Sequence, residues 1–214
     1  MKKKKKKSGR ILILIGILLI AAALGKAAYN IWDGIRAGRE SQEIAQQLLH
    51  EIPKDSDTED AKPADTGEQD ANADEEKNSE KITTVELDGT QYLGLLNIPS
   101  LDLQLPVMAE WNYENLRTAP CRYTGSVSDN NLVIAGHNYS GHFQDLKTLE
   151  HGDAVVLTTA AGEKISYTVD HIETLGAQEI STMITADNWD LTLFTCTVGG
   201  KSRYAVRCIR EKNS

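Results

Sequence analysis

Leu191-Thr192-Leu193-Phe194-Thr195-Cys196-Thr197 decides how the chain folds. It is short, apolar and rich in β-branched and aromatic residues, and Gly199-Gly200 comes closely after it. That is the pattern of a buried strand ended by a turn. Side chains alternate faces along a strand, so Leu191 and Leu193 share one face, and Thr192, Phe194 and Cys196 share the other. The leucine face belongs to a core, which leaves Cys196 on the opposite face at the C-terminal end. A second apolar run, Leu132-Val133-Ile134-Ala135-Gly136-His137, puts Val133, Ala135 and His137 on one face and again ends on a chemically active side chain.

Similar runs recur at Tyr92 to Ile98, Leu101 to Val107, Ala154 to Thr159, Lys164 to Ile172 and Tyr204 to Ile209. Breakers separate them: Pro99-Ser100, Ser128-Asp129-Asn130, His151-Gly152-Asp153 and Ala161-Gly162. Seven short strands within residues 82–214 predict a sandwich or closed barrel. Short helices are expected at Glu114 to Arg117, Phe143 to Leu149 and Ser181 to Ala186. No long amphipathic helix alternates with the strands, which argues against a doubly wound sheet. No internal repeat or nucleotide-binding fingerprint is present.

The chain before residue 82 is of another kind. The 214 residues carry a net charge of −8, which argues against a nucleic-acid partner. That charge is unevenly spread: +7 over residues 1–10, zero over 11–50, −9 over 51–80, and −7 over 82–214, with Lys81 between the last two. Ile11 to Leu24 contains no polar side chain. Residues 11–32 therefore read as a membrane-spanning signal anchor behind a polybasic cytoplasmic head, residues 1–10. Tyr29 and Trp32 sit where interfacial aromatics belong, and the basic head puts everything after residue 32 outside the cytoplasmic membrane. A cleaved signal peptide with Ala21-Ala22-Ala23 at its cleavage site is the alternative. Ile31, Ile35, Ile44, Leu48 and Ile52 recur at helical spacing up to Pro53, predicting a short juxtamembrane helix. That helix reads as a spacer, with dimerisation as the alternative. Residues 53–81 hold no Ile, Leu, Val, Phe, Tyr or Trp. They read as a disordered, self-repelling tether, so that 33–81 is stalk and 82–214 is the folded domain.

The candidate chemistry needs a Cys thiolate as nucleophile, a His to move a proton and a cation to hold an oxyanion. Cys196, His137 and Arg203 meet those needs if their strands adjoin. Arg207 shares a strand face with Arg203 and rivals it, and His142 rivals His137. His151 and His171 read as structural or exposed. Three Cys are too few for a disulfide scaffold. Cys208 reads as a small buried hydrophobe, and Cys121 as a loop residue. A Cys121–Cys208 disulfide is permitted outside the cell and would still leave one thiol free. Asp190 and Glu179 as calcium ligands would need an oxygen cluster that spacing does not reveal, so no metal is assigned.

The local strings resemble those of sortases. Thr192, Leu193, Thr195 and Cys196 match the family's TLxTC signature. Ile134-Ala135-Gly136-His137-Asn138 resembles the segment around the family histidine, and Gly141-His142-Phe143, Leu146, Leu149 and Gly152-Asp153 resemble the stretch after that histidine. Arg203 falls where the family arginine opens the last strand, and Gly94 to Val107 resembles the opening strands. The resemblance implies a closed eight-stranded β-barrel with short helices. It implies a cysteine transpeptidase on the outer face of Gram-positive cells, working without a cofactor. Such an enzyme cuts a C-terminal LPxTG-type sorting signal of a surface protein between Thr and Gly. It passes the acyl group to an amine of a cell-wall precursor or a pilin Lys. Carried over, Cys196 is the nucleophile, His137 the proton carrier and Arg203 the oxyanion and backbone ligand. Ala135 and Phe194 line the sorting-signal groove, with Thr195 beside the reacting carbonyl. Family members differ in substrate choice over the stretch matching about Glu173 to Asn188. No class B insertion is evident before the cysteine strand, which points to a class D- or A-like type. A non-catalytic tethered binding module on the same barrel, or another extracellular Cys transpeptidase, are the competing readings. For the latter, the Ser-His-Gly-Cys string expected of an L,D-transpeptidase is absent.

Overall fold

The computed structural model describes residues 5–53, 82–185 and 188–212, with side chains from residue 9 onward. All of the predicted tether 53–81 beyond Pro53, and the end of the predicted helix at Ala186, lie outside these residues. Nine strands form among the described residues: β1 (Val85–Leu87), β2 (Thr90–Ile98), β3 (Leu103–Met108), β4 (Cys121–Thr124), β5 (Leu132–Gly136), β6 (Ala154–Thr159), β7 (Lys164–Gly176), β8 (Leu191–Cys196) and β9 (Ser202–Arg210). Their order is β1-β2-β3-β4-β5-β8-β9-β7-β6, and β6 returns to pair with β2. Eight strands thus close a ring, and the three-residue β1 is an appendage on the start of β2.

Closure depends on Gly94, which has φ +150° at the β2–β6 seam. A Cβ built there would lie 2.0 Å from the Thr158 carbonyl oxygen, so only glycine lets the two backbones meet. One wall face fills the barrel with Leu96, Ile98, Leu105, Val107, Ile134, Leu157, Tyr167, Leu191, Leu193 and Val206. The other carries a second apolar layer with Tyr92, Leu95, Met108, Val133, Ala135, Phe194 and Ala205. The parity predicted for β8 holds: Leu191 and Leu193 belong to the first layer and Phe194 to the second.

Helices cover the outer layer. The short α2 (Asn115–Thr118) and α3 (Ile180–Ile184) lie close to the predicted positions. The predicted Phe143–Leu149 helix shrinks to one 3-10 turn at Leu146–Thr148. Two expectations need correction. Cys121 is not in a loop: it opens β4, a strand too short for periodicity to reveal. The juxtamembrane helix is not separate: α1 runs unbroken from Lys5 to Glu51, through the apolar span, and its last turns pack on the barrel. Its N-terminal half is long and apolar enough to cross a membrane.

Candidate active site

β5 and β8 are parallel neighbours, with Ala135 opposite Phe194 and Gly136 opposite Thr195. Parallel strands end at the same side of a sheet, so His137, just past β5, and Cys196, ending β8, emerge together. β9 runs antiparallel beside β8 and puts Arg203 directly opposite Cys196. Cross-strand partners project to the same face. All three line one cavity of about 250 Å³, with Ala135, Gly136, Phe194, Trp111, Tyr113, Leu116, Tyr123, Glu179, Ile180 and Met183.

The groups differ in environment. Cys196 is exposed, whereas Cys121 and Cys208 are buried and all three thiols are free. Burial pushes both buried thiols up to about 12. Cys121 lies in the outer apolar layer and Cys208 in the interior one, on opposite faces of the wall, which rules out the Cys121–Cys208 disulfide. His137 stacks on Tyr139 with ring centroids 4.5 Å apart. Burial holds its pKa below the ordinary value, and the Arg117 guanidinium adds to that while Asp33 opposes it. The imidazole is thus neutral near pH 7 and able to accept a proton.

The rivals separate cleanly. His142 is 1% exposed, does not line the cavity, and is pushed down to about 4, chiefly by burial. Arg203 is half-buried at the cavity and donates from Nη1 to the Ala177 carbonyl at 2.9 Å. Arg207 lies four residues deeper and has no exposed surface. Its Nε donates to Glu173 at 2.7 Å, Nη1 to the Met183 carbonyl and Thr192 Oγ1 at 2.9 and 2.8 Å, and Nη2 to the Thr182 carbonyl at 2.8 Å. Its guanidinium carbon stands 4.4 Å from the Trp189 ring centroid. Arg207 therefore ties down the end of α3, and Arg203 ties down the segment leading into it.

Ala135 and Phe194 form part of the cavity lining. Thr195 does not. Alternation sends its side chain to the Leu193 face, where it is 1% exposed and its hydroxyl has no hydrogen-bond partner among the described residues. Glu179 accepts from the Gly176 amide, and Asp190 Oδ2 accepts from the Arg210 amide at 2.7 Å, so both carboxylates serve as local backbone caps. No metal-ligating cluster forms among the described residues. His151 and His171 lie apart, each bonded to Asp170.

Sequence reading missed the aromatic wall. Tyr113, Trp111, Tyr123 and Phe194 succeed one another at centroid separations of 5.2, 5.4 and 5.3 Å, from the exposed rim to the cavity floor. The signal for it was Trp111-Asn112-Tyr113, two aromatics in a polar turn of a chain with only 6% aromatics.

Residues 96–211 match the family pattern of the Sortase domain, more than half of the chain. The chain belongs to the sortase family. Sortases are cysteine transpeptidases. Sortase A of Bacillus anthracis is 26% identical over 204 residues, covering 87% of both chains. The crystal structure of sortase C1 from Streptococcus agalactiae superposes with TM-score 0.53 at 27% identity, over 60% of this chain and 72% of that one. Sortase A from Corynebacterium diphtheriae gives TM-score 0.51 at 24% identity. That match covers 58% of this chain and 63% of the other, under two thirds of its length.

Proposed function

We propose that this sortase is a membrane-anchored transpeptidase that cuts an LPxTG-like C-terminal sorting signal between Thr and Gly and joins the new carboxyl end to an amine. The observation that carries the reading is the convergence of exposed Cys196, half-buried His137 and Arg203 on one mainly apolar cavity. An extended apolar peptide fits a cavity floored by Ala135 and Phe194 and walled by Ile180 and Met183.

Neutral His137 takes the proton of the Cys196 thiol, and the resulting thiolate attacks the Thr carbonyl carbon. Arg203, with donors fixed across from Cys196, stabilises the oxyanion. As the peptide C–N bond breaks, protonated His137 gives its proton to the leaving amine, and a thioester to Cys196 remains. An incoming amine attacks the thioester, neutral His137 takes its proton, and the thiolate leaves. One amide replaces another, so the exchange needs no external energy source. The acceptor belongs to a cell-wall precursor or a pilin Lys, and the substrates are surface proteins bearing the signal. The barrel lies outside the cytoplasmic membrane, with α1 as anchor and the basic head inside.

The test is incubation of the full-length chain in detergent with quenched LPxTG-type peptides and an amine acceptor. Cleavage and ligation that disappear in Cys196→Ala support the reading. Equal turnover by Cys196→Ala, or no ligation of any peptide, overturns it and favours a binding module.

A further inference from the structure

The second half of α1 and the residue just after it carry a buried stripe: Gly34, Ala37, Gly38, Ser41, Ala45, Leu48 and Ile52. These recur at steps of three and four, so they form one helix face. Leu48, Ile52 and Ala45 pack with Tyr92, Leu95 and Met108 of the barrel's outer layer. Toward the membrane-spanning part the stripe becomes small residues, and there the helix backbone meets the loop just after His137.

The approach is close. A Cβ on Gly38 would lie 3.1 Å from the Ser140 carbonyl oxygen and 3.4 Å from the Gly141 Cα. Gly141 itself has φ +82°, and a Cβ there would lie 3.0 Å from the Gly38 Cα. Gly34 faces the Tyr139 side chain, its own Cβ position 3.8 Å from that of Tyr139. Tyr139 in turn stacks on His137 with 18° between ring planes. Next to Gly34, Asp33 of α1 stands 3.7 Å from Arg117 of α2. These two charges also act on His137, and buried His142 lies beside Ala37 of α1 and beside His137. The helix thus touches Tyr139, and Tyr139 touches the imidazole.

We propose that residues 33–53 form a strap that positions His137, and that a barrel beginning at residue 82 lacks part of its active-site support. Gly34, Gly38 and Tyr139 are positioning residues that act through the histidine. This rests on the transpeptidase reading of the Cys196 site.

The test uses the full-length chain with Gly38→Leu, Gly38→Ala and, as an interior destabiliser away from the site, Val155→Ala. The readouts are kcat and KM for peptide transfer, and hydrogen exchange over residues 138–144. Because small misplacements of a reacting group are costly, Gly38→Leu is expected to lower kcat by about tenfold or more with KM within about twofold. Exchange over 138–144 should rise. Val155→Ala should lower the melting temperature while keeping kcat and loop exchange. Parental kcat and exchange in Gly38→Leu overturn the proposal, as does an equal kcat loss in Val155→Ala. Should Gly38→Leu not fold, Gly38→Ala decides: a smaller kcat loss with faster loop exchange supports the strap, and parental values refute it. If the parent itself transfers nothing, the enzymatic reading has failed, and loop exchange alone still tests the strap.

Discussion

Two arginines on one face of β9 make opposite predictions. Replacing Arg207 with Met removes a guanidinium with no solvent exposure that makes four hydrogen bonds. Left behind are the Glu173 carboxylate, two main-chain carbonyls at the end of α3 and the Thr192 hydroxyl. Removing one partner of a buried ion pair costs roughly 3–5 kcal/mol. Glu173 keeps 29% of its side chain in solvent, so water relieves part of the stranded charge and the lower end, about 3 kcal/mol, applies. For a domain of this size that is a fall of about 10 °C in melting temperature. Activity should suffer mainly through KM, because α3 supplies the Ile180 and Met183 wall of the cavity. Arg203→Met removes one bond, to the Ala177 carbonyl, worth about 1 kcal/mol. If Arg203 holds the oxyanion, kcat should nonetheless drop by about 10²–10³. Thermal melts and peptide-transfer kinetics on the two variants read both quantities. An Arg207→Met protein that keeps its melting temperature but loses kcat would refute the assignment, as would an Arg203→Met protein with parental kcat. A further check is Arg207→Met with Glu173→Met, which should recover part of the lost stability because no charge is stranded.

Burial dictates two other outcomes. Alkylation of the folded protein near neutral pH should modify Cys196 and spare Cys121 and Cys208, which react only after unfolding; peptide mapping by mass spectrometry checks this, and equal labelling of the three would contradict it. His142 titrates near 4 when folded and near 6.5 when unfolded, so the unfolded chain binds its proton first as pH falls. The stability is complete above pH 6.5 and is lost toward pH 4, by about 3 kcal/mol. Denaturant titrations over that range should show the loss, and His142→Gln should flatten it, whereas an unchanged slope would place the acid sensitivity elsewhere.

The barrel was legible because its longer strands announce themselves by apolar runs between turns. The candidate site was legible as a grouping because Cys196, His137 and Arg203 each stand at a strand end. Their convergence comes from the parallel pairing of β5 with β8, which no local pattern reveals. β4 escaped notice because it has four residues and a single register partner on β3, Met108 opposite Cys121. Thr195 was drawn into the groove by its neighbours in the motif, although the alternation that exposes Cys196 turns Thr195 inward. The strap was misread for a physical reason. Ile31 and Ile35 carried the apolar signal, yet they are 66% and 43% exposed. Gly34, Ala37, Gly38 and Ser41 make the contact instead, because close backbone approach selects small side chains that hydropathy barely registers.

That misreading changes the role of residues 54–81. As a tether between membrane and barrel they would set how far the catalytic domain reaches. Both flanks, however, lie at the same turn of the barrel. Pro53 packs on Gly162, between β6 and β7. Ile82 lines a pocket with Ala161 and Glu163 of that turn. The two described residues that flank the acidic run, Pro53 and Ile82, thus lie at one place, after the helix has already docked. Deleting residues 57–70 still leaves 14 residues to close the loop, and halving its length should stabilise the fold by about 0.6 kcal/mol. A tether of half the length would change the effective concentration at a membrane-bound substrate by about threefold. The measurement is the ratio of transfer rates on a substrate anchored in vesicles and on the same signal as a free peptide, for parent and deletion proteins reconstituted together with the anchored substrate. The docked helix predicts an unchanged ratio, since the rise of α1 and not the acidic run then sets the height of Cys196 above the bilayer. A ratio that shifts with the deletion would show that the helix leaves the barrel during turnover and that the acidic run does carry the reach.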